Sequence, residues 1–145
     1  MNLYIAMVGG QLPGHRIEVH DIEIYFAEDQ TDLVQQCREN LRPIKARHLD
    51  GWIEIPVGQS AEDSHRLYLV EIGKNEAGRF YELHDYLLVM AADTRAAISA
   101  AKARSKGWHV DTIIDLNRVA AEHGYSLEAA AAERGARPTS TYIRL

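Results

Sequence analysis

Cysteine is almost absent: Cys37 stands alone in 145 residues, so no internal disulfide and no thiolate zinc cage can form within the chain. No apolar run approaches the ~20 residues that a membrane-spanning helix needs. The opening residues Met1-Asn2-Leu3-Tyr4 lack the basic and apolar regions of a secretory signal. Basic charge is also short, with 16 Lys and Arg against 21 Asp and Glu and a formal net charge of -5, which argues against an unaided grip on nucleic-acid phosphates or anionic lipid. No Gly-x-Ser-x-Gly elbow and no His-Glu-x-x-His helix occurs. The expectation is a soluble, cytoplasmic protein with neither nucleic acid nor membrane as partner.

What the chain does have is an internal repeat. Laid over one another at a constant shift of 64 positions, Leu3, Tyr4, Gly9, Gly14, Glu18, His20, Asp21, Ala27 and Asp29 meet Leu67, Tyr68, Gly73, Gly78, Glu82, His84, Asp85, Ala91 and Asp93. Chance would give about two identities in a window of this length. The similarity resumes at a shift of 61, where His48-Leu49-Asp50 meets His109-Val110-Asp111, so a three-residue deletion separates the two stretches. Duplication of one unit explains the whole pattern.

Within each unit the periodicity gives the same order of elements. Leu3 to Val8 reads as a buried strand closed by a Gly9-Gly10 turn, Ile17 to Phe26 as a second strand, and Asp29 as the N-cap of a helix whose stripe is Leu33, Val34, Cys37 and Leu41. Pro43 stops that helix and His48 to Ile55 alternates as a third strand. The second unit follows with strands at Leu67 to Ile72, Tyr81 to Met90 and His109 to Leu116, and a helix capped by Asp93 and ended by Gly107. We therefore expect an α+β fold of two tandem β-β-α-β repeats with pseudo-two-fold symmetry, the helices packed on mixed sheets. Repeat unit one spans 1–57, a linker 58–66, repeat unit two 67–116 and a C-terminal extension 117–145, all in one compact domain, because about sixty residues bury little alone. In the extension, Ser126 and Gly135 bracket a helix over Leu127 to Arg134, and Thr139 to Leu145 reads as a terminal strand.

The chemistry-bearing residues are Glu18, His20, Asp21, His48 and Asp50, with the echo Glu82, His84, Asp85, His109 and Asp111. Residues two apart on a strand share a face, so Glu18 stands beside His20 and His48 beside Asp50. Neighbouring strands would make one cluster per unit, holding two imidazoles and two carboxylates. A hydrogen-bonded network that locks a sheet end is the commonest use of such a set; contact with a ligand or partner comes next, and a metal or acid/base centre last. Trp52 falls on the face of His48 and Asp50, and Trp108 precedes His109; each either stacks on a ligand or fills the seam between the units. Cys37 lies on an apolar helix stripe, as a small core residue would.

Taken together, Leu3-Tyr4, Gly9-Gly10, Pro13-Gly14, Glu18-Val19-His20-Asp21 and His48-Leu49-Asp50-Gly51-Trp52 resemble the bacterial domain-of-unknown-function family 1543, whose members carry one or two copies of the domain. The resemblance spans residues 1 to 116 and implies the tandem arrangement, with no activity to carry over. The second copy departs from the pattern with Lys74 for Gly10 and Ile113 for Trp52.

The leading functional expectation is a non-catalytic binding module for a small polar ligand or a protein partner. No cofactor is required by it. The alternatives are a hydrolytic enzyme dependent on a divalent metal, with His20, His48 and Asp50 as ligands and Glu18 as general base, and a structural homodimer joined through strand edges.

Overall fold

The structure is a computed structural model, and it describes residues 1–58 and 64–145. Most of the linker expected at 58–66 therefore lies outside the described residues. The chain divides into two compact units, 1–56 together with 135–145, and 57–134.

In the first unit, β1 (Asn2–Gln11), β2 (Val19–Ala27), α1 (Gln30–Glu39) and β3 (Lys45–Pro56) follow the expected order, and a late strand, β7 (Arg137–Arg144), completes a sheet ordered β2-β1-β3-β7. The turn between β1 and β2 uses Gly14 at φ +81°, a left-handed conformation that a side chain disfavours. Gly9 and Gly10 do not close β1; they lie inside it, paired with β2. Asp29 caps α1, its carboxylate accepting from the Thr31 and Asp32 amides. Leu33 and Cys37, one turn apart, pack on Tyr4, Ala6, Val8, Ala27, Leu49 and Trp52 of the sheet. Burial at this scale contributes about 1.5–3 kcal/mol for each large side chain. Arg47 holds the other end of the helix, donating to the carbonyls of Cys37 (2.7 Å) and Asn40 (2.6 Å) and pairing with the buried Glu23 at 2.9 Å. Burial pushes the Cys37 thiol up to about 11, so it is protonated and inert at neutral pH.

The second unit contains β4 (Arg66–Lys74), β5 (Leu83–Ala91), α2 (Thr94–Arg104) and β6 (His109–Asp115) in a sheet ordered β5-β4-β6. Asp93 caps α2 through the Ala96 amide, and Ala97 and Ala101 pack on Tyr68, Val70, Ile72, Val89 and Ala91. Two short helices follow, α3 (Leu116–Glu122) and α4 (Ala129–Gly135). The third strand stops at Asp115 rather than running through Leu116, because the Asp115 carboxylate accepts from the Arg118 amide and starts α3 there. Asn117 ties this segment back to β4: its side chain accepts from the Leu67 amide (2.7 Å) and donates to the Leu127 carbonyl (2.8 Å). In the extension, α4 and β7 appear where a helix and a terminal strand were expected.

The fold is thus a mixed α+β arrangement of seven strands and four helices among the described residues. The expectation of mixed sheets is corrected, since every pairing is antiparallel. The reason is topological. The crossover through α1 makes β2 and β3 run the same way, but β1 lies between them, so the parallel strands never touch; α2 does the same for β5 and β6 around β4.

Candidate functional site

The central strand decides where the polar residues meet. Gly9 on β1 pairs with His20 on β2 and with His48 on β3. Strands two apart are separated by roughly 9–10 Å, too far for direct contact over an intervening side chain. Gly9 has none, and the two imidazoles lean over it in edge-to-face contact with centroids 5.8 Å apart. A Cβ at Gly9 would overlap His48 Cε1 and lie 2.8 Å from His20 Nε2. Gly73 occupies the same register between His84 on β5 and His109 on β6, and a Cβ there would overlap Asp111 and approach His109 to 2.6 Å.

A second backbone device aims the aspartates. The β1–β3 register slips between Met7 and Val8, leaving Asp50 as the extra residue, and the β4–β6 register slips between Glu71 and Ile72, leaving Asp111. Bulges of this kind redirect a side chain and advance the alternation by one. Asp50 accepts from both imidazoles, from His48 Nδ1 at 2.8 Å and His20 Nε2 at 3.0 Å. His48 Nε2 faces Glu18 at 3.2 Å. In the second unit His84 Nε2 faces Glu82 at 3.2 Å and Asp111 at 3.4 Å, and His109 closes a ring by reaching Asp111 through Nδ1 and Glu82 through Nε2. Three donor atoms converge to within 4.8 Å of one another in each: Glu18, His20 and His48, and Glu82, His84 and Asp111.

Solvent reaches most of this. The side chains of His20, His84 and His109 are 48%, 41% and 48% exposed, whereas that of His48 is 4% exposed. The difference comes from β7, which pairs with β3 and stacks Tyr142 on His48 at 4.8 Å. Burial pulls the His48 pKa down, but hydrogen bonds to Asp50 and Glu18 outweigh it and the ring sits above its ordinary value. His109 is also raised, by its hydrogen bond to Asp111 against a small desolvation, with Glu82 adding to the rise.

The structure therefore joins Glu18, His20, His48 and Asp50, and likewise Glu82, His84, His109 and Asp111. It does not join Asp21, Asp85 or Trp52 to them. Asp21 lies on the other face of β2, paired with Arg42 at 2.9 Å, and the Asp85 carboxylate accepts from the Tyr86 amide. The bulge at Asp50 puts Trp52 in phase with Leu49, so it is buried in the α1 core instead of beside His48. Trp108 packs against the α2 core of its own unit. His15, His65 and His123 are exposed. Two contributors escaped the sequence reading: Tyr142, and the glycines as floor of the clusters. Recurrence of Gly9 and Gly73 the same distance before His20 and His84 is the available signal.

No protein-family model matches this chain, and neither does any curated protein. Among solved structures it is similar to the crystal structure of a protein Il1583 from Idiomarina loihiensis, at 20% identity and a TM-score of 0.56, over 99% of this chain and 97% of that one. That likeness concerns the fold. No helix among the described residues is long and apolar enough to cross a membrane.

Proposed function

We propose that this chain is a non-catalytic binding protein whose two His/carboxylate clusters are its polar ligand sites. One observation carries the reading: in each unit two imidazoles and two carboxylates converge over a glycine, and Glu18 and His20 in the first and His84 and His109 in the second stay close to half exposed, while His48 is buried. A network serving only to lock a sheet gains most when buried, where its hydrogen bonds are strongest. A hydrolytic enzyme with Glu18 as base has less support, because that carboxylate already faces the His48 ring.

The same register of glycine, histidines and bulged aspartate in both units supports a tandem duplication. The single buried, unpaired thiol of Cys37 suits a reducing cytoplasm. The test is a pair of substitutions, His20→Ala and His84→Ala, followed by urea unfolding. Each is expected to stay within about 0.5 kcal/mol of the parent, as exposed positions do. Losses above about 2 kcal/mol in both would make the clusters structural locks and overturn the reading.

A further inference from the structure

We infer that the ligand of these sites is a borderline divalent cation of the zinc class, held over Gly9 by Glu18, His20 and His48, with Asp50 orienting His48 from behind. The inference rests on the binding reading above and names the chemistry it takes.

The first argument is a count of protons. Both ring nitrogens of His48 face carboxylates, Nδ1 at 2.8 Å from Asp50 and Nε2 at 3.2 Å from Glu18. A neutral imidazole has one N–H. With that hydrogen donated to Asp50, Nε2 turns its lone pair toward an anionic oxygen, and the pair is satisfied either by a second proton on the ring or by a cation bound between them. A carboxylate behind the far nitrogen of a metal-bound histidine is the usual means of fixing its tautomer and strengthening it as a ligand.

The second argument is geometric. Donors about 2.1 Å from a common tetrahedral ion lie roughly 3.4 Å apart, and the three donor atoms here already lie within 4.8 Å of one another. Small rotations of the exposed Glu18 and His20 side chains close the remainder. The absent side chain of Gly9 lets the two imidazoles lean together over the central strand, and the two carboxylates supply the charge that a divalent ion neutralises. Nitrogen and oxygen donors without a thiolate suit zinc, cobalt or nickel over softer ions.

The second cluster is the weaker site. Its converging donors, Glu82, His84 and Asp111, include one imidazole instead of two, and a borderline ion favours nitrogen. Zinc should therefore load in two unequal steps.

The experiment is calorimetric titration of Zn2+ alone into the untagged, chelator-stripped full chain near neutral pH. One tight equivalent and one weaker are expected. Glu18→Gln should weaken the tight step by about tenfold or more, and Asp50→Asn by about 10- to 100-fold, while Glu82→Gln should leave it unchanged and weaken the second. Should Glu18→Gln fail to fold, the exposed His20→Ala variant makes the same test. Absence of bound zinc, or isotherms of Glu18→Gln and His20→Ala that superimpose on the parent, would overturn the cation. Those results with neutral stabilities for His20→Ala and His84→Ala would leave the binding reading in place with a different ligand; large stability losses would remove that reading as well.

Discussion

Beneath the first cluster, α1 is tied to its sheet by a buried ion pair between Glu23 and Arg47; at the matching register of the second unit stand Leu87 and Trp108, packed on the α2 core. Above the first cluster, β7 lays Tyr142 on His48, while β6 ends its sheet's strand order with no fourth strand beyond it among the described residues. The support differs on both sides, yet the glycine, the two histidines, the glutamate and the bulged aspartate stand in the same register. The cluster does not depend on one way of packing the sheet beneath it, which separates its chemistry from the stability of the fold.

The sharpest way to break this comparison is at Arg47. Arg47→Ala removes the buried partner of Glu23, leaving it Arg42 at 3.1 Å, and strips two carbonyls at the end of α1 of their donor, so it should cost about 3 kcal/mol in denaturant unfolding, the low end for a broken buried pair. Introducing the second unit's pair, Glu23→Leu with Arg47→Trp, should recover most of that loss. A double variant no better than Arg47→Ala would show that the two packings are not interchangeable.

Next in size is the glycine floor. Gly9→Ala collides with the buried His48 and should cost about 1–3 kcal/mol. At Gly73 the colliding groups are exposed side chains that can swing away, so Gly73→Ala should cost clearly less. Equal losses would contradict the contrast in burial between the two clusters.

Smaller still is Tyr142→Ala, which removes one stacked ring from His48 and should cost about 0.5–1.5 kcal/mol, with no effect on the second site. The smallest expected effect is on pH dependence in chelator-treated protein. His48 has a folded pKa above the ordinary 6.5, so its contribution is full below 6.5 and is lost as pH rises through the folded value. The melting temperature should fall over that window, and His48→Gln should flatten the fall.

Much of this was legible in the residues. Asp29 and Asp93 announced their helices, Gly14 its turn, and the doubled Glu-x-His and His-x-Asp pairs pointed to the side chains that the structure brings together. One error has a local cause: strict alternation was carried through β3, although it holds a bulge at Asp50. One inserted residue moved Trp52 from the face of His48 to the α1 core. Antiparallel pairing followed from which strand sits in the middle, and that is a tertiary fact no single strand pattern encodes. The cover over His48 was illegible for a similar reason, since Tyr142 arrives from 94 residues farther along the chain.

The most direct measurement is a crystal of the full chain grown with Zn2+, with diffraction recorded on both sides of the zinc absorption edge. The account requires an anomalous peak over Gly9, bounded by Glu18, His20 and His48, and a weaker one over Gly73. Zinc bound elsewhere on the chain, with nothing over Gly9, would contradict it.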